Sequence, residues 1–115
     1  MPTANLTMDI REVADGIRVI DVEGEITAFS EQQIADAHAK AGEDASAVIL
    51  NFEGLDYMNS GGIGLLVTTL IRAQRAGHAL RAFGLSDHYR QIFALTRLDE
   101  AIEIFDDEKA ALDTI

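Results

Sequence analysis

Residues 47–71 read AVILNFEGLDYMNSGGIGLLVTTLI, and this stretch decides the fold of the chain. The largely apolar run over residues 47–52 is typical of a strand that is buried on both sides in a mixed or parallel sheet. Residues 53–59 are predicted to form a loop. From about residue 61 to residue 76 apolar side chains recur at helical spacing, and Gly77 is a natural residue for the helix end. The stretch therefore predicts a strand, a loop and an amphipathic helix.

The residues before this stretch predict a hairpin of two strands. Apolar and polar side chains alternate over residues 6–10, which is the period of a half-buried strand. Asp15-Gly16 favours a type I′ turn, and the β-branched residues within 17–23 indicate a second, antiparallel strand. Residues 24–27, Gly-Glu-Ile-Thr, are expected to leave the sheet.

A first helix is predicted after the hairpin. Ser30 and Gln33 match a capping box, in which Ser30 is the N-cap residue and the Gln33 side chain reaches back to it. Gly42 suits the end of this helix. His38 lies on the apolar face and is interpreted as a packing residue, because it has no Asp, Glu or His at metal-ligand spacing on the same face.

The C-terminal third of the chain predicts two short strands and two helices. Residues 80–83 and 102–105 have the apolar, extended pattern of short strands. Ser86 can cap a helix that runs to about Leu95. The acidic residues 106–108 fit the first turn of a last short helix, where the helix dipole favours negative charge.

These elements predict a single α/β domain over residues 1–115 with the order ββαβαβα(β)α. Its mixed sheet should have four to five strands, with about four α-helices. A chain of 115 residues is long enough for one domain of ordinary size.

Composition limits the classes of function. The chain has no cysteine, which excludes disulfides, thiolate zinc sites and cysteine nucleophiles. Its net charge of −11 argues against nucleic acid as a direct partner. The N-terminus has no secretory signal pattern, and no apolar run approaches the roughly 20 residues of a membrane helix. We therefore expect a cytoplasmic protein without membrane insertion, metal or cofactor.

The charge is uneven along the sequence. Residues 60–98 contain five arginines and one aspartate, a net charge of +4, which leaves −15 for the rest of the chain. This division fits two interpretations. It represents either the solvated faces of ordinary helices or a polarised surface that orients a protein partner.

Ser60 carries most of the functional signal. It stands before two glycines, Gly61 and Gly62, at the start of the predicted helix, where backbone N–H groups lack partners and favour negative charge. A nucleotide-binding loop is disfavoured, because seven residues separate the strand from the glycines and the P-loop lysine is missing. A receiver domain is disfavoured, because no lysine ends a late strand and no clear aspartate acceptor ends the third strand. Ser60 is then either a plain N-cap or a phosphoacceptor, and it has no evident base for hydrolase chemistry.

Three segments carry a family resemblance. Residues 24–27, GEIT, resemble the GEL-D turn that follows the second strand in STAS domains. Residues 50–65, which end in YMNSGGIGL, resemble the strand, loop, serine and glycine signature of that family. Residues 83–86, followed by residues 92–98 and 104–106, resemble its C-terminal segment. Because the segments occur in the right order over nearly the whole chain, it resembles a stand-alone STAS domain of the anti-sigma-factor antagonist class.

The resemblance implies a partner switch without enzymatic activity. In that class the unphosphorylated antagonist binds an anti-sigma factor, which is an ATP-binding serine kinase, and thereby frees a sigma factor. The kinase then phosphorylates the antagonist serine, the complex dissociates, and a phosphatase resets it. On this chain the phosphoacceptor maps to Ser60. The expected contact surface is the segment of residues 25–30 together with residues 57–62 and the exposed start of the second helix. The expected partner-binding residues within it are Glu25, Thr27, Ala28, Ser30, Tyr57, Asn59, Ser60, Gly61 and Gly62.

Two residues depart from the family pattern. Asn59 stands where the family often has aspartate, and Thr27 replaces the aspartate of the GEL-D turn. Asn59 can still cap the helix, but both changes remove negative charge near the serine. The alternative function is a STAS subunit that docks constitutively on a transporter or a signalling scaffold. The two glycines are expected to let a kinase approach Ser60, and N–H groups of residues 61–63 to receive the phosphate oxygens.

Overall fold

The structure, a computed structural model, describes residues 5–114. Within them the chain forms one sheet of five strands and four α-helices, in the predicted order. No helix among these residues is long and apolar enough to cross a membrane. The strands are β1 (Leu6–Ala14), β2 (Ile17–Ile26), β3 (Ala47–Met58), β4 (Ala79–Phe83) and β5 (Glu103–Phe105). The helices are α1 (Glu31–Ala41), α2 (Ser60–Ala76), α3 (Asp87–Leu95) and α4 (Glu108–Asp113), and 3-10 helices span Ala28–Ser30 and Leu98–Glu100.

The five strands lie in the sheet in the same order as along the chain, from β1 at one edge to β5 at the other. β1 and β2 form the predicted antiparallel hairpin. The pairs β2–β3, β3–β4 and β4–β5 are parallel, and each is joined through an α-helix, because parallel pairing requires a crossover connection. It follows that the carboxyl ends of β2, β3 and β4 all lie at the same end of the sheet.

Both faces of the first half of β3 are buried, as its apolar sequence predicts. Val48 and Leu50 belong to the larger core cluster, which also contains buried side chains of α1, α2 and α3. Ala47 and Ile49 belong to a smaller cluster that contains Ala111 of α4. The sheet is therefore held between three helices on one side and the short C-terminal helix on the other.

The strands β2 and β3 extend farther than the sequence predicts. Residues 24–26 remain in β2 and residues 53–58 continue β3, so the predicted turn and loop are wrong, and Ile26 lies opposite Met58 at the strand ends. The register between the two strands shifts twice along this half. Strand propensity depends strongly on context, so pairing between neighbouring strands outweighs the weak propensity of a Glu-Gly-Leu-Asp segment.

The capping box lies one turn before its predicted position. Ser30 is the N-cap residue of α1, but its side chain makes no capping hydrogen bond there. Ser30 Oγ instead accepts from Thr27 N at 3.1 Å, and Thr27 Oγ1 accepts from Phe29 N at 3.2 Å. Gln33 does not reach back to Ser30, because its Nε2 donates to Leu6 O at 2.8 Å and ties α1 to β1.

The other helix boundaries are close to the predicted ones. Gly77 follows α2 with a φ of 82°, a left-handed conformation that glycine adopts readily. Ser86 Oγ accepts from Tyr89 N at 3.4 Å at the start of α3. Asp107 Oδ1 accepts from Ala110 N at 2.9 Å and caps α4.

Much of the charge division along the sequence disappears in three dimensions. Three of the five arginines of residues 60–98 lie within 4 Å of carboxylates that follow them in the chain. Ion pairs with carboxylates of the C-terminal third therefore balance the positive charge of three of these five arginines. The pairs are Arg81 with Glu103 at 3.7 Å, Arg90 with Asp106 at 2.5 Å and Arg97 with Glu100 at 3.9 Å.

Candidate functional site

Ser60 is the first residue of α2, and it is exposed near the carboxyl end of β3. The N-cap residue is Asn59, whose Oδ1 accepts from Gly62 N at 2.9 Å. Asn59 also donates its backbone N–H to Ile26 O at 3.3 Å, which ties the start of α2 to the end of β2. The interpretation of Ser60 as the N-cap is therefore wrong. Asn59 supplies the cap, and the Ser60 hydroxyl is not used for it.

Gly61 and Gly62 allow the start of α2 to pack closely against the preceding segment. A Cβ atom on Gly61 would lie 2.9 Å from Ala28 Cβ, and one on Gly62 would lie 2.4 Å from Ile26 O. Both distances are shorter than carbon contacts in folded proteins, so neither site accepts a side chain without movement. The glycines therefore serve packing inside the chain, a role that the sequence pattern does not predict, and their making room for a kinase stays a prediction.

The 3-10 helix packs beside the start of α2 and contributes, with the end of β2, the other residues of the site. Glu25 and Ala28 are exposed and Thr27 is half-buried, so these three side chains are available to a partner. Ser30 is only 1% exposed and Gly62 is also buried. The prediction that Ser30 and Gly62 contact a partner directly is therefore wrong, because both residues lie beneath the surface and support it.

Two aromatic side chains are exposed next to this surface. Tyr57 is 48% exposed and precedes Ser60 by three residues. Phe29 is 78% exposed and adjoins Ala28, the residue that packs on Gly61. Phe29 lies within the expected contact segment, residues 25–30, but not among the individually expected residues; an aromatic residue in a polar turn is the signal that adds it. Exposed apolar groups beside a polar site are typical of protein interfaces.

Tyr89 of α3 fixes the backbone that leads into the site. Its side chain is buried, and Met58 donates its backbone N–H to Tyr89 Oη at 2.7 Å. The ring of His88 lies edge-on to the Tyr89 ring, with 5.0 Å between centroids. The helical pattern predicts Tyr89 on the apolar face of α3 but not this hydrogen bond. The signal for it is general, since a buried tyrosine hydroxyl usually finds a partner.

The site can display a hydroxyl group, and its backbone leaves limited capacity to bind an anion. Gly62 N–H is used by Asn59 Oδ1, and Ile63 N donates to Asn59 O at 3.0 Å. Of the N–H groups of residues 61–63, only that of Gly61 is thus left for a phosphate, which corrects the broader expectation. Across residues 5–114 no three His, Asp or Glu side chains are grouped so that they could hold a metal ion.

Comparison with known proteins identifies relatives over most of the chain. A family model described as the STAS domain matches residues 10–111. The anti-sigma-B factor antagonist of Bacillus subtilis is 25% identical over 100 residues, which are 87% of this chain and 91% of the relative.

Solved structures share the fold. The anti-sigma factor antagonist SpoIIAA in its unphosphorylated form superimposes with a TM-score of 0.72 at 22% identity, over 94% of this chain and 96% of that one. Its phosphorylated form gives 0.71 at 23% identity, over 94% and 98%. A sulfate transporter family protein from Wolinella succinogenes gives 0.78 at 18% identity, over 90% and 88%. These identities are low, so the structures show the fold, whereas the family model covers most of the chain. The chain belongs to the STAS domain family, as its three sequence segments indicate.

Proposed function

We propose that the chain is an anti-sigma-factor antagonist that binds an anti-sigma factor while Ser60 is unphosphorylated. The partner, an ATP-binding serine kinase, phosphorylates Ser60 and is then released, and a phosphatase restores the first state. The observation that carries the proposal is the exposed Ser60 at the first position of α2, with its hydroxyl free of the capping role. The name of the Bacillus subtilis relative supports the general role, and the two forms of SpoIIAA support the phosphorylation step.

The binding surface proposed here lies at the ends of β2 and β3. Phe29 and Tyr57 supply exposed apolar area, and Ser60 follows Tyr57 by three residues at the start of α2. Ser30 and Gly62 are buried beneath this surface and support it by packing and hydrogen bonding. The residues proposed to contact the partner are Glu25, Thr27, Ala28, Phe29, Tyr57, Asn59, Ser60 and Gly61.

The switch follows from the charge that phosphorylation adds. A phosphoserine carries about −1.5 to −2 charges at neutral pH. The start of α2 tolerates this charge, because the helix dipole favours anions there and the Gly61 N–H is available. A partner that covers Ser60 would have to desolvate the same charge. A cost of about 2.7 kcal/mol is enough to weaken binding about 100-fold.

The phosphorylation step is tested with purified protein, ATP and a serine-kinase anti-sigma factor encoded in the same genome. Mass spectrometry should locate one phosphate on Ser60, and Ser60→Ala should abolish it. Ser86→Ala is the matched control, because Ser86 is an exposed serine at the start of another helix, and it should leave the phosphate on Ser60 unchanged.

The binding step is tested with the same partner by calorimetry. Ser60→Ala should bind like the wild type, and Ser60→Asp should bind about 100-fold more weakly, since it places a permanent charge in the interface. If Ser60→Asp binds like the wild type and no phosphate is found on Ser60, the switch is wrong. Constitutive docking on a transporter or a signalling scaffold then becomes the better account.

A further inference from the structure

A buried pair of histidines joins the end of α1 to the turn between α2 and β4. His38 lies in the last turn of α1 and His78 directly precedes β4. The two residues are 4% and 6% exposed, and their Nε2 atoms are 2.9 Å apart, a hydrogen-bond distance. Gly42, which ends α1, fits over His78, since a Cβ atom there would lie 2.8 Å from His78 Cε1. The pair is thus a packed contact between two elements that the proposed switch does not use.

The hydrogen bonding of the pair assigns its protons. A bond between two Nε2 atoms requires that one of them carries a proton and the other does not. His78 Nδ1 is buried and has no hydrogen-bond partner within residues 5–114. A proton on that atom would be an unsatisfied buried donor, which is costly. The structure therefore favours His78 Nε2–H donating to His38 Nε2, with the second proton of the neutral pair on His38 Nδ1.

One additional proton can be placed in this geometry only at a cost, because it either opposes two N–H donors or leaves a buried N–H without an acceptor. Three protons can occupy the four nitrogens in four ways, and these are of two kinds. Either both Nε2 atoms are protonated, and two N–H groups point at each other across 2.9 Å, or His78 Nδ1 carries an N–H without an acceptor. We propose that the His38–His78 pair is an acid-sensitive clasp, which holds the last turn of α1 to the turn between α2 and β4 while both rings are neutral and opens when one ring takes up a proton.

The charged groups around the clasp do not compensate for the proton. Arg72 of α2 faces the pair and adds positive charge. The carboxylates of Asp36 and Glu43 line the open groove of about 440 Å³ above the pair, and both side chains are exposed to water. Lys40 is exposed on α1, and Arg18 of β2 donates to the backbone oxygens of residues 41 and 43 at the helix end. The groove gives water a route to the pair once it opens.

The direction of the pH effect follows from burial. Desolvation and the neighbouring positive groups lower the pKa of His38 from 6.5 to about 4, and burial lowers the pKa of His78. Because the histidine pKa values are lowered in the closed form, the opened form binds a proton at a higher pH than the closed form does. The stabilising effect of the clasp is therefore complete above pH 7 and is lost as the pH falls from about 6.5 towards about 4. For His38 alone, the equilibrium between closed and open forms should shift about 25-fold towards opening between pH 7.5 and pH 5.

Two measurements on the unaltered protein test the clasp. NMR titration should show that His38 and His78 resist protonation below the ordinary histidine pKa of about 6.5, or protonate only as α1 loosens. Hydrogen exchange, corrected for intrinsic rates, should accelerate about 25-fold at the end of α1 between pH 7.5 and pH 5, with a smaller change in α3. The proposal is overturned if His38 and His78 titrate with the ordinary histidine pKa of about 6.5 and exchange at the end of α1 does not change.

Variants separate the clasp from general acid sensitivity. His38→Gln combined with His78→Gln removes both titrating rings and should abolish the acid response at the end of α1. His88→Gln is the control, since it removes the third histidine of the chain and should retain the response. An unchanged acid response in the double variant would also overturn the proposal. If the double variant does not fold, the titration and exchange of the unaltered protein still decide the question.

Discussion

Alanine at Gly62 and at Gly64 should change stability in opposite directions, although both residues lie in the first two turns of α2. At Gly64 an added Cβ meets no atom within 4 Å. Alanine there lowers the entropy of the unfolded chain and improves helix propensity, which is worth about 1 kcal/mol. Gly64→Ala should therefore stabilise the protein by about that amount.

At Gly62 the same change meets backbone. The Cβ atom would lie 2.4 Å from Ile26 O and 2.8 Å from Met58 Cγ. Ile26 O cannot move away freely, because it also accepts the hydrogen bond from Asn59 N. Overpacking of this kind costs about 1–3 kcal/mol, and a contact with backbone belongs at the upper end of that range. After the propensity gain is subtracted, Gly62→Ala should destabilise the protein by about 1–2 kcal/mol.

Urea unfolding followed by circular dichroism measures both variants under the same conditions. Gly64→Ala should raise the urea concentration at the transition midpoint, and Gly62→Ala should lower it. In thermal unfolding, the melting temperature should shift by roughly 4 °C for each kcal/mol. If Gly62→Ala stabilises the protein as much as Gly64→Ala, the close packing of α2 on β2 is wrong. The backbone placement of Ser60 derived from that packing would then fail with it.

Substitutions at three further positions are measured by the same unfolding assay. Tyr89→Phe leaves the buried N–H of Met58 without its acceptor and should cost about 1–3 kcal/mol, whereas an effect near zero would mean that the hydrogen bond is not formed. Asn59→Ala removes the cap on Gly62 N and should cost about 1 kcal/mol, and Asn59→Asp should retain the cap; equal losses in both would contradict the capping role. Phe93→Ala empties a fully buried core position and should cost about 3–5 kcal/mol, and a loss below 1 kcal/mol would place the ring outside the core.

Most of the fold could be predicted because local patterns agree with the tertiary structure. The apolar run at the start of β3 is buried on both faces, and the helical pattern of α2 ends at Gly77 as expected. The second half of β3 could not be predicted in the same way. Its residues pair with β2 across two register shifts, and such irregular pairing leaves no clean alternation in the sequence.

The site could be predicted as a set of positions but not as a surface. The sequence motif identifies Ser60 and its neighbours, yet it cannot separate exposed residues from the residues that support them. Ser30 and Gly62 are buried because the 3-10 helix folds against α2, a contact between segments 32 residues apart in the sequence. Phe29 lies in the same 3-10 helix, inside the capping box of Thr27 and Ser30, and its side chain is exposed.

The use of Asn59 as the cap has a consequence for the proposed switch. Because Asn59 takes the N–H groups of Gly62 and Ile63, a phosphate on Ser60 would find little backbone to neutralise it within the chain. A phosphate that its own helix bound tightly would be partly hidden, and its charge would repel a partner less. A phosphate held loosely at the exposed start of α2 keeps its charge directed at the partner. If Ser60 is phosphorylated as proposed, the capping arrangement that limits anion binding therefore makes the added charge effective in dissociating a complex.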